Sequence, residues 1–338
     1  MEQQLIQHAE RVLQTTRDIE HLYPHLHVWG WPIAVDLFFG GLAAGILFFT
    51  AYYFLSGKEE KMPFTVKIAP YFTFSMIAIC LLMLLYDLHH KLYFWNLYLT
   101  FRIESPMSWG AWTLTAVTLL SLLWPLGYLD EVIDYARKRG WKYVYRSALF
   151  VQNAVHRIPL LGKIQHYVIK YRKTWAVLML GLAIGLGIYT GILLSAFNAR
   201  PLWNTAVLGP LFLTSGVTTG AAFLAWLTDN ESERKTLINI LLFLIALKLF
   251  FIIHMIMSML SGAEAYKTAA EMLLGGSFTV YFWVFVVGMG LVIPFVLLVL
   301  KKKGYSIPMV VPALMILLGG FAFRMIIVYA GQMSAYPF

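Results

Sequence analysis

The sequence contains one cysteine, Cys80, and few charged residues. Only 13% of its residues are charged, whereas soluble domains have about a quarter. A single cysteine forms no internal disulfide and supplies too few ligands for an iron–sulfur cluster. Any iron–sulfur cluster that works with this chain is therefore expected in a partner subunit.

Apolar residues make up 60% of the chain, in runs of about 20 residues. A helix of that length crosses the roughly 30 Å hydrocarbon layer of a bilayer. The runs predict an all-α integral membrane protein, with the lipid bilayer as its surroundings. Eight transmembrane helices are expected, at residues 31–55, 66–88, 107–128, 174–196, 207–228, 235–260, 277–300 and 307–330.

The distribution of positive charge predicts the orientation. An even number of spans puts both termini on one side, here called the terminal side. The terminal side carries 6 lysines and arginines and the opposite side carries 18. The positive-inside rule makes the opposite side cytoplasmic, which gives an N-out/C-out topology. The net charge of +9 then reflects topology, and no nucleic acid partner is expected.

The chain divides into five segments. Residues 1–28 lack an apolar signal core and are expected to form an extracytoplasmic amphipathic segment. Helices 1–3 occupy 29–128, and residues 129–173 form a cytoplasmic loop. This loop alternates basic and apolar residues, which is typical of helices at a membrane interface. Helices 4–5 follow in 174–228 and helices 6–8 in 229–338.

Four ionisable or polar residues in different helices share one depth. At 1.5 Å per residue, Asp36, Tyr189, His254 and Arg324 lie about 8–10 Å from the terminal surface. Lys248 lies near mid-membrane. Ionisable residues inside a membrane often mark a substrate or proton path. The layer therefore predicts a functional site, with Lys248 and Arg324 as candidates for a proton path.

Structural interpretations remain open for each of these residues. Asp36 and Arg324 could form an ion pair, His254 could bind a backbone carbonyl, and Tyr189 could be an interfacial aromatic residue. A secondary transporter or channel is an alternative function, although transporter sites usually lie near the midplane. A haem b anchor is another, and it needs paired axial histidines. His254 with His89 or His90 is the only plausible pair near one surface.

Several motifs in order along the sequence resemble the polysulfide-reductase membrane-subunit family, also called NrfD/PsrC-like. "SPMSWGAW" and "YTG" followed by "PLW" are the most specific of them. The matching stretches are "IAVDLFFGGLAAG" (33–45), "FWN" (94–96), "SPMSWGAW" (105–112), "YTGILLSA…PLWN" (189–204), "LFLTSGVTTGAA" (211–222) and "GGFAFRMIIVYAGQ" (319–332).

The resemblance implies a subunit of a respiratory oxidoreductase in a bacterial or archaeal cytoplasmic membrane. Such a subunit has two four-helix bundles and binds menaquinone or ubiquinone near the extracytoplasmic face. It holds no haem or iron–sulfur cluster itself. An extracytoplasmic iron–sulfur subunit docks there and exchanges electrons with a catalytic subunit, which is a molybdopterin enzyme, a hydrogenase or a multihaem cytochrome.

The resemblance also suggests roles for individual residues. Asp36 and Tyr189 would contact the quinone head group, Asp36 as proton donor and acceptor and Tyr189 through a hydrogen bond. Depth adds His254 and Arg324 to this quinone site, with His254 as a third catalytic candidate. The loops on the terminal side would dock the partner through His89, His90, Trp95, Asn96, Arg200, Trp203 and Asn204.

Overall fold

The computed structural model describes residues 29–334, and their regular structure is entirely helical. The predicted amphipathic segment at residues 1–28 lies outside the described residues. The helices are α1 (Trp31–Leu55), α2 (Pro70–Asp87), α3 (Asn96–Leu99), α4 (Pro106–Leu126), α5 (Leu129–Arg139), α6 (Lys142–Arg157), α7 (Pro159–Lys170), α8 (Arg172–Ser195), α9 (Leu208–Leu227), α10 (Glu231–Leu260), α11 (Glu264–Leu274), α12 (Tyr281–Lys302) and α13 (Val310–Met333).

Eight of these helices are long and apolar enough to cross a membrane, which confirms the predicted number. They are α1, α2, α4, α8, α9, α10, α12 and α13, and each begins and ends within four residues of its predicted bounds. The first part of α12, Tyr281–Val292, is π-helical, as is Phe64–Ile68 before α2. Neither π segment was predicted.

The membrane helices form two four-helix bundles. Helices α1, α2, α4 and α8 form the first bundle, and α9, α10, α12 and α13 form the second. The bundles meet where α1 packs against α9 and α13, and α8 packs against α9. This arrangement agrees with the two bundles implied by the family resemblance.

Glycines bring α1 and α9 into backbone contact. A Cβ atom at Gly45 would overlap the carbonyl group of Gly216, and a Cβ atom at Gly220 would overlap the backbone of Gly45. Gly41 lies against Gly216 in the same seam. Small residues at four-residue spacing let membrane helices approach this closely, so "GLAAG" and "GVTTG" join the two bundles.

The loop on the opposite side folds into α5, α6 and α7, as the pattern of basic and apolar residues predicted. Carbonyl groups at the end of α4 gain partners from α7 and α8. Gln165 of α7 donates to the carbonyl of Leu126 at 2.8 Å, and Arg172, the first residue of α8, donates to the carbonyl of Gly127. Since the last carbonyls of a helix lack partners within it, the Gln165 bond fastens the loop to the first bundle.

A buried carboxylate also ties the bundles together on the opposite side. Glu233, in the first turn of α10, is fully buried. It accepts hydrogen bonds from the backbone N–H groups of Phe64 and Thr65 at 3.2 and 2.8 Å. The hydroxyl groups of Thr65 and Thr228 donate to it as well. Glu233 therefore holds the segment before α2 against the start of α10.

On the terminal side, the two ends of the described residues lie together. The N–H group of Trp29 donates to Gln332 Oε1 at 3.2 Å, and Arg200 donates to the carbonyl of Ser334 at 3.0 Å. Residues 29 and 334 therefore share one face, as eight spans require. Which face is extracytoplasmic remains a prediction from the charge distribution.

Candidate functional site

The first bundle encloses a cavity of about 550 Å³ near the terminal side. Ligand sites in proteins commonly have volumes of about 300–1,000 Å³. Helices α1, α2, α4 and α8 form its wall, and α3 covers it at the terminal end. The lining is mostly apolar, with leucine the most frequent residue, and the ionisable and hydroxyl side chains in it are Asp36, Asp87, Tyr98, Thr115, Thr118, Tyr189 and Thr190.

Asp36 is the carboxylate that α1 presents to this cavity. Pro32 lies in the first turn of the helix, where its missing N–H group costs no hydrogen bond, and Asp36 follows one turn later. The thiol of Cys80 on α2 contacts the backbone carbonyl of Asp36 at 3.4 Å. No basic residue among positions 29–334 forms an ion pair with the Asp36 carboxylate. Asp36 is thus a cavity-lining residue whose carboxylate is not paired with a basic side chain of this region.

Tyr189 enters the same cavity from α8, and its place depends on Gly110 of α4. A Cβ atom at position 110 would overlap the phenol oxygen and ring of Tyr189. The glycine of "SPMSWGAW" is thus needed where the tyrosine of "YTG" lies. The two most specific motifs of the family meet at this contact.

Tyr98 and Asp87 also line the cavity, and the sequence reasoning did not select them. Tyr98 belongs to the short helix α3. Burial raises the pKa of its phenol, and the nearby charge of Asp36 raises it further. Asp87 is the last residue of α2. Tyr98 follows α2 in the connection to α4, and Asp87 ends α2, so the sequence pattern did not indicate that either side chain lines a cavity.

Arg324 and Lys248 lie in the second bundle and do not line the cavity. Arg324 is buried, donates from Nη2 to the carbonyl of Phe212 at 3.0 Å, and stacks 3.7 Å from the centre of the Phe212 ring. Lys248 is also buried, with its Nζ 4.8 Å from the centre of the Phe323 ring. The ion pair between Asp36 and Arg324 is absent from the described residues.

His254, six residues before the end of α10, faces outward from the helix. It is exposed, and its Nδ1 is 3.0 Å from the carbonyl of Phe250. His89 and His90 follow α2 of the first bundle, whereas His254 belongs to α10 of the second. Within residues 29–334, no group of three metal-binding side chains occurs.

The loops proposed for docking differ in exposure. His89, His90, Trp95 and Asn96 are exposed. Trp203 is instead buried, and its indole N–H donates to the carbonyl of Ile327 at 2.7 Å. Asn204 donates to the hydroxyl of Tyr266 at 3.0 Å. The segment around Trp203 therefore anchors α13 and α11, because its large apolar ring packs in the interior instead of at the surface.

The cavity combines two carboxyl groups, those of Asp36 and Asp87, with the phenols of Tyr98 and Tyr189 in a largely apolar space. A carboxyl group can take up or release a proton, and a phenol can donate a hydrogen bond to a ligand oxygen. The arrangement suits a largely apolar ligand that carries oxygen atoms and exchanges protons. Asp36 and Tyr189, from two helices, supply the groups that sequence predicted for this chemistry.

Comparison with known proteins gives consistent matches over most of the sequence. The family model described as "Polysulphide reductase, NrfD" matches residues 19–335. One of the chains of the polysulfide reductase of Wolinella succinogenes is 31% identical, over 90% of the present sequence and 94% of its own. Protein NrfD of Escherichia coli is 28% identical over 91% and 96%, respectively.

One of the subunits of the selenate reductase of Mesobacillus selenatarsenatis is more distant, at 24% identity over 89% of the present sequence and 73% of its own. Two of these relatives are thus named as parts of reductases. With eight membrane helices and matches of this extent, the protein is a multi-pass membrane protein of the NrfD, or polysulphide reductase, family.

Proposed function

We propose that this protein is the quinone-reactive membrane subunit of a respiratory reductase complex. The observation that carries the proposal is that Asp36 and Tyr189 face one apolar cavity of about 550 Å³ in the first bundle. A quinone head group is apolar apart from its carbonyl oxygens, which matches a leucine-lined space with two kinds of polar group.

The reaction moves protons and electrons together. A quinol that is oxidised releases two electrons and two protons, and the reverse reaction takes up the same numbers. In the proposal, Asp36 exchanges a proton with one ligand oxygen. Tyr189 forms a hydrogen bond with the other oxygen, whose proton is exchanged with water on the terminal side. The electrons pass to or from a separate subunit, since Cys80 is the only cysteine of this protein and is buried.

The proposed partners follow from this division of labour. An iron–sulfur subunit would bind the terminal side, beside the exposed residues His89, His90, Trp95 and Asn96. It would connect the quinone with a catalytic subunit, which is a molybdopterin enzyme, a hydrogenase or a multihaem cytochrome. The named relatives include parts of polysulfide and selenate reductases. Menaquinone and ubiquinone both fit the cavity chemistry, and the complex would lie in a bacterial or archaeal cytoplasmic membrane.

Asp36→Asn tests the proposal, because it keeps the side-chain size but removes the titrating group. In the purified complex, quinone-linked turnover should fall roughly 10²–10⁴-fold, as expected when an acid–base group is lost. Tyr189→Phe should weaken quinone binding about three- to tenfold, since one hydrogen bond contributes about 0.5–1.5 kcal/mol. Turnover with a soluble electron carrier should remain normal in both variants.

The matched control is Asp134→Asn, at an exposed carboxylate of α5 far from the cavity. It should leave every activity unchanged. Normal quinone turnover in an assembled Asp36→Asn complex would show that Asp36 is not the group that exchanges protons with the quinone. Absence of quinone turnover and of extractable quinone in the unmodified complex would contradict the proposed function itself.

A further inference from the structure

The cavity extends well beyond the layer of Asp36 and Tyr189. Its wall on α4 includes residues from Gly110 to Leu119 at helical spacing. These nine steps along the helix cover about 14 Å. Tyr189 lies at the Gly110 end, so most of this length continues past the head-group site toward the middle of the membrane.

The deeper part of the cavity is apolar despite its two threonines. The hydroxyl of Thr115 donates to the carbonyl of Ala111 at 2.8 Å, and that of Thr118 donates to the carbonyl of Leu114 at 2.7 Å. A threonine that bonds its own helix in this way has no free donor for a ligand. The cavity thus changes from a polar end to an apolar end along α4.

The cavity opens sideways between α2 and α4. The wall formed by α1 and α8 is closed, because Leu37 and Leu186 are 1% and 3% exposed. On the other side, Leu82 of α2 and Leu119 of α4 are 60% and 55% exposed although both line the cavity. These two side chains border an opening toward the surface that a membrane helix presents to lipid.

The two helices are held together below this opening. The indole N–H of Trp124, near the end of α4, donates to the carbonyl of Val66 just before α2 at 3.0 Å. The opening is therefore bounded on the opposite side by a fixed contact and on the terminal side by α3.

We propose that the opening between α2 and α4 is the passage for the prenyl tail of the quinone, with Thr115, Thr118 and Leu119 along its path. This inference rests on the proposed function. A head group bound at Asp36 and Tyr189 leaves a tail of many carbons that a cavity of about 550 Å³ does not enclose. The tail must reach hydrocarbon, and the opening beside Leu82 and Leu119 leads from the apolar end of the cavity to the exposed surface of the helices.

Thr118→Trp tests the passage by filling it below the head-group site. The control is Leu122→Trp, one turn further along α4, at an exposed residue that does not line the cavity. Each variant of the purified complex is reconstituted in liposomes. Turnover is measured with a long-chain quinol in the bilayer and with a soluble quinol that has the same head group without a prenyl tail.

In the Thr118→Trp complex, KM for the long-chain quinol should rise at least tenfold, while KM for the tail-free quinol changes less than twofold. The Leu122→Trp complex should match the unmodified complex with both substrates. Quinone retained after purification, measured by solvent extraction, should fall only in the Thr118→Trp complex.

Unchanged kinetics and unchanged retained quinone in the Thr118→Trp complex would place the tail elsewhere. Equal loss with both quinols would show that position 118 belongs to the head-group site, which also overturns the passage. If the unmodified complex retains phospholipid in place of quinone, the opening between α2 and α4 would hold a phospholipid acyl chain and not the quinone tail. Failure of the unmodified complex to oxidise either quinol would instead contradict the proposed function.

Discussion

The two bundles bury their ionisable residues in different surroundings. In the first bundle, Asp36 faces a cavity large enough for a ligand. In the second, Lys248 and Arg324 are packed against the rings of Phe323 and Phe212. All three residues lie within apolar helices and look alike in sequence. The comparison shows that a buried ionisable residue indicates a binding site only where a cavity lies beside it.

The largest expected effect concerns Glu233, which makes one of the contacts between the two bundles. Glu233→Ala would leave the buried N–H groups of Phe64 and Thr65 and two hydroxyls without their acceptor. Since an unsatisfied buried donor costs about 1–3 kcal/mol, we expect a loss of about 3–5 kcal/mol in unfolding free energy. Unfolding in mixed micelles measures this change.

The control for Glu233 is Glu231→Ala in the same helical turn. Glu231 pairs with Arg234 at an exposed position, so its loss should cost less than about 1 kcal/mol. Equal stability of the two variants would mean that the bundles are held together without the Glu233 contact.

The next largest effect is expected at Gly110, where the backbone of α4 contacts Tyr189 in the cavity wall. Gly110→Ala would push a methyl group into Tyr189 and displace the phenol. We expect quinone turnover to fall tenfold or more while the complex still assembles. Gly185→Ala on α8 is the matched control, because no atom lies within 4 Å of the added methyl group. Normal quinone turnover in the Gly110→Ala complex would show that the position of the Tyr189 phenol does not affect the reaction.

A smaller effect is expected for the ion pair at the opposite surface. Arg139 donates to Asp229, Nε to Oδ2 at 2.7 Å, and this bond lowers the pKa of Asp229. A lowered carboxyl pKa stabilises the folded state above the unfolded pKa of about 3.9, and the contribution is lost as the pH falls from there through the lower folded-state pKa. Asp229→Asn should therefore cost at most about 1 kcal/mol at pH 7, and the difference in unfolding free energy from the unmodified protein should shrink as the pH falls below about 3.9.

The smallest effect is expected at Lys248. Replacing a buried charge with an apolar side chain of similar size is often neutral or stabilising, so Lys248→Met should retain stability. Quinone turnover in the assembled complex should stay within about twofold of normal, because the residue lies outside the cavity. A tenfold fall would bring the second bundle into the reaction, as a proton path through Lys248 and Arg324 requires.

Sequence predicted the membrane helices well because hydrophobic length is a local property. A common depth for Asp36, Tyr189, His254 and Arg324 stays a prediction. Depth leaves open the direction in which each side chain points around its helix. That direction depends on tertiary packing, which turns His254 outward and buries Arg324 against Phe212. Tyr98 escaped prediction for the same reason, since the fold of a loop brings it over the cavity.

The seam between α1 and α9 has a consequence for Asp36. Successive residues of a helix are rotated by about 100°, which places Gly45 about 180° around α1 from Asp36. Close contact of Gly45 with Gly216 prevents α1 from turning about its axis, so it sets the direction of the carboxylate from the far side of the helix. One residue inserted between positions 36 and 41 would swing Asp36 by about 100°. In the stretch "VDLFFGGLAAG", the number of residues between Asp36 and the contact glycines therefore matters as much as the identity of those residues.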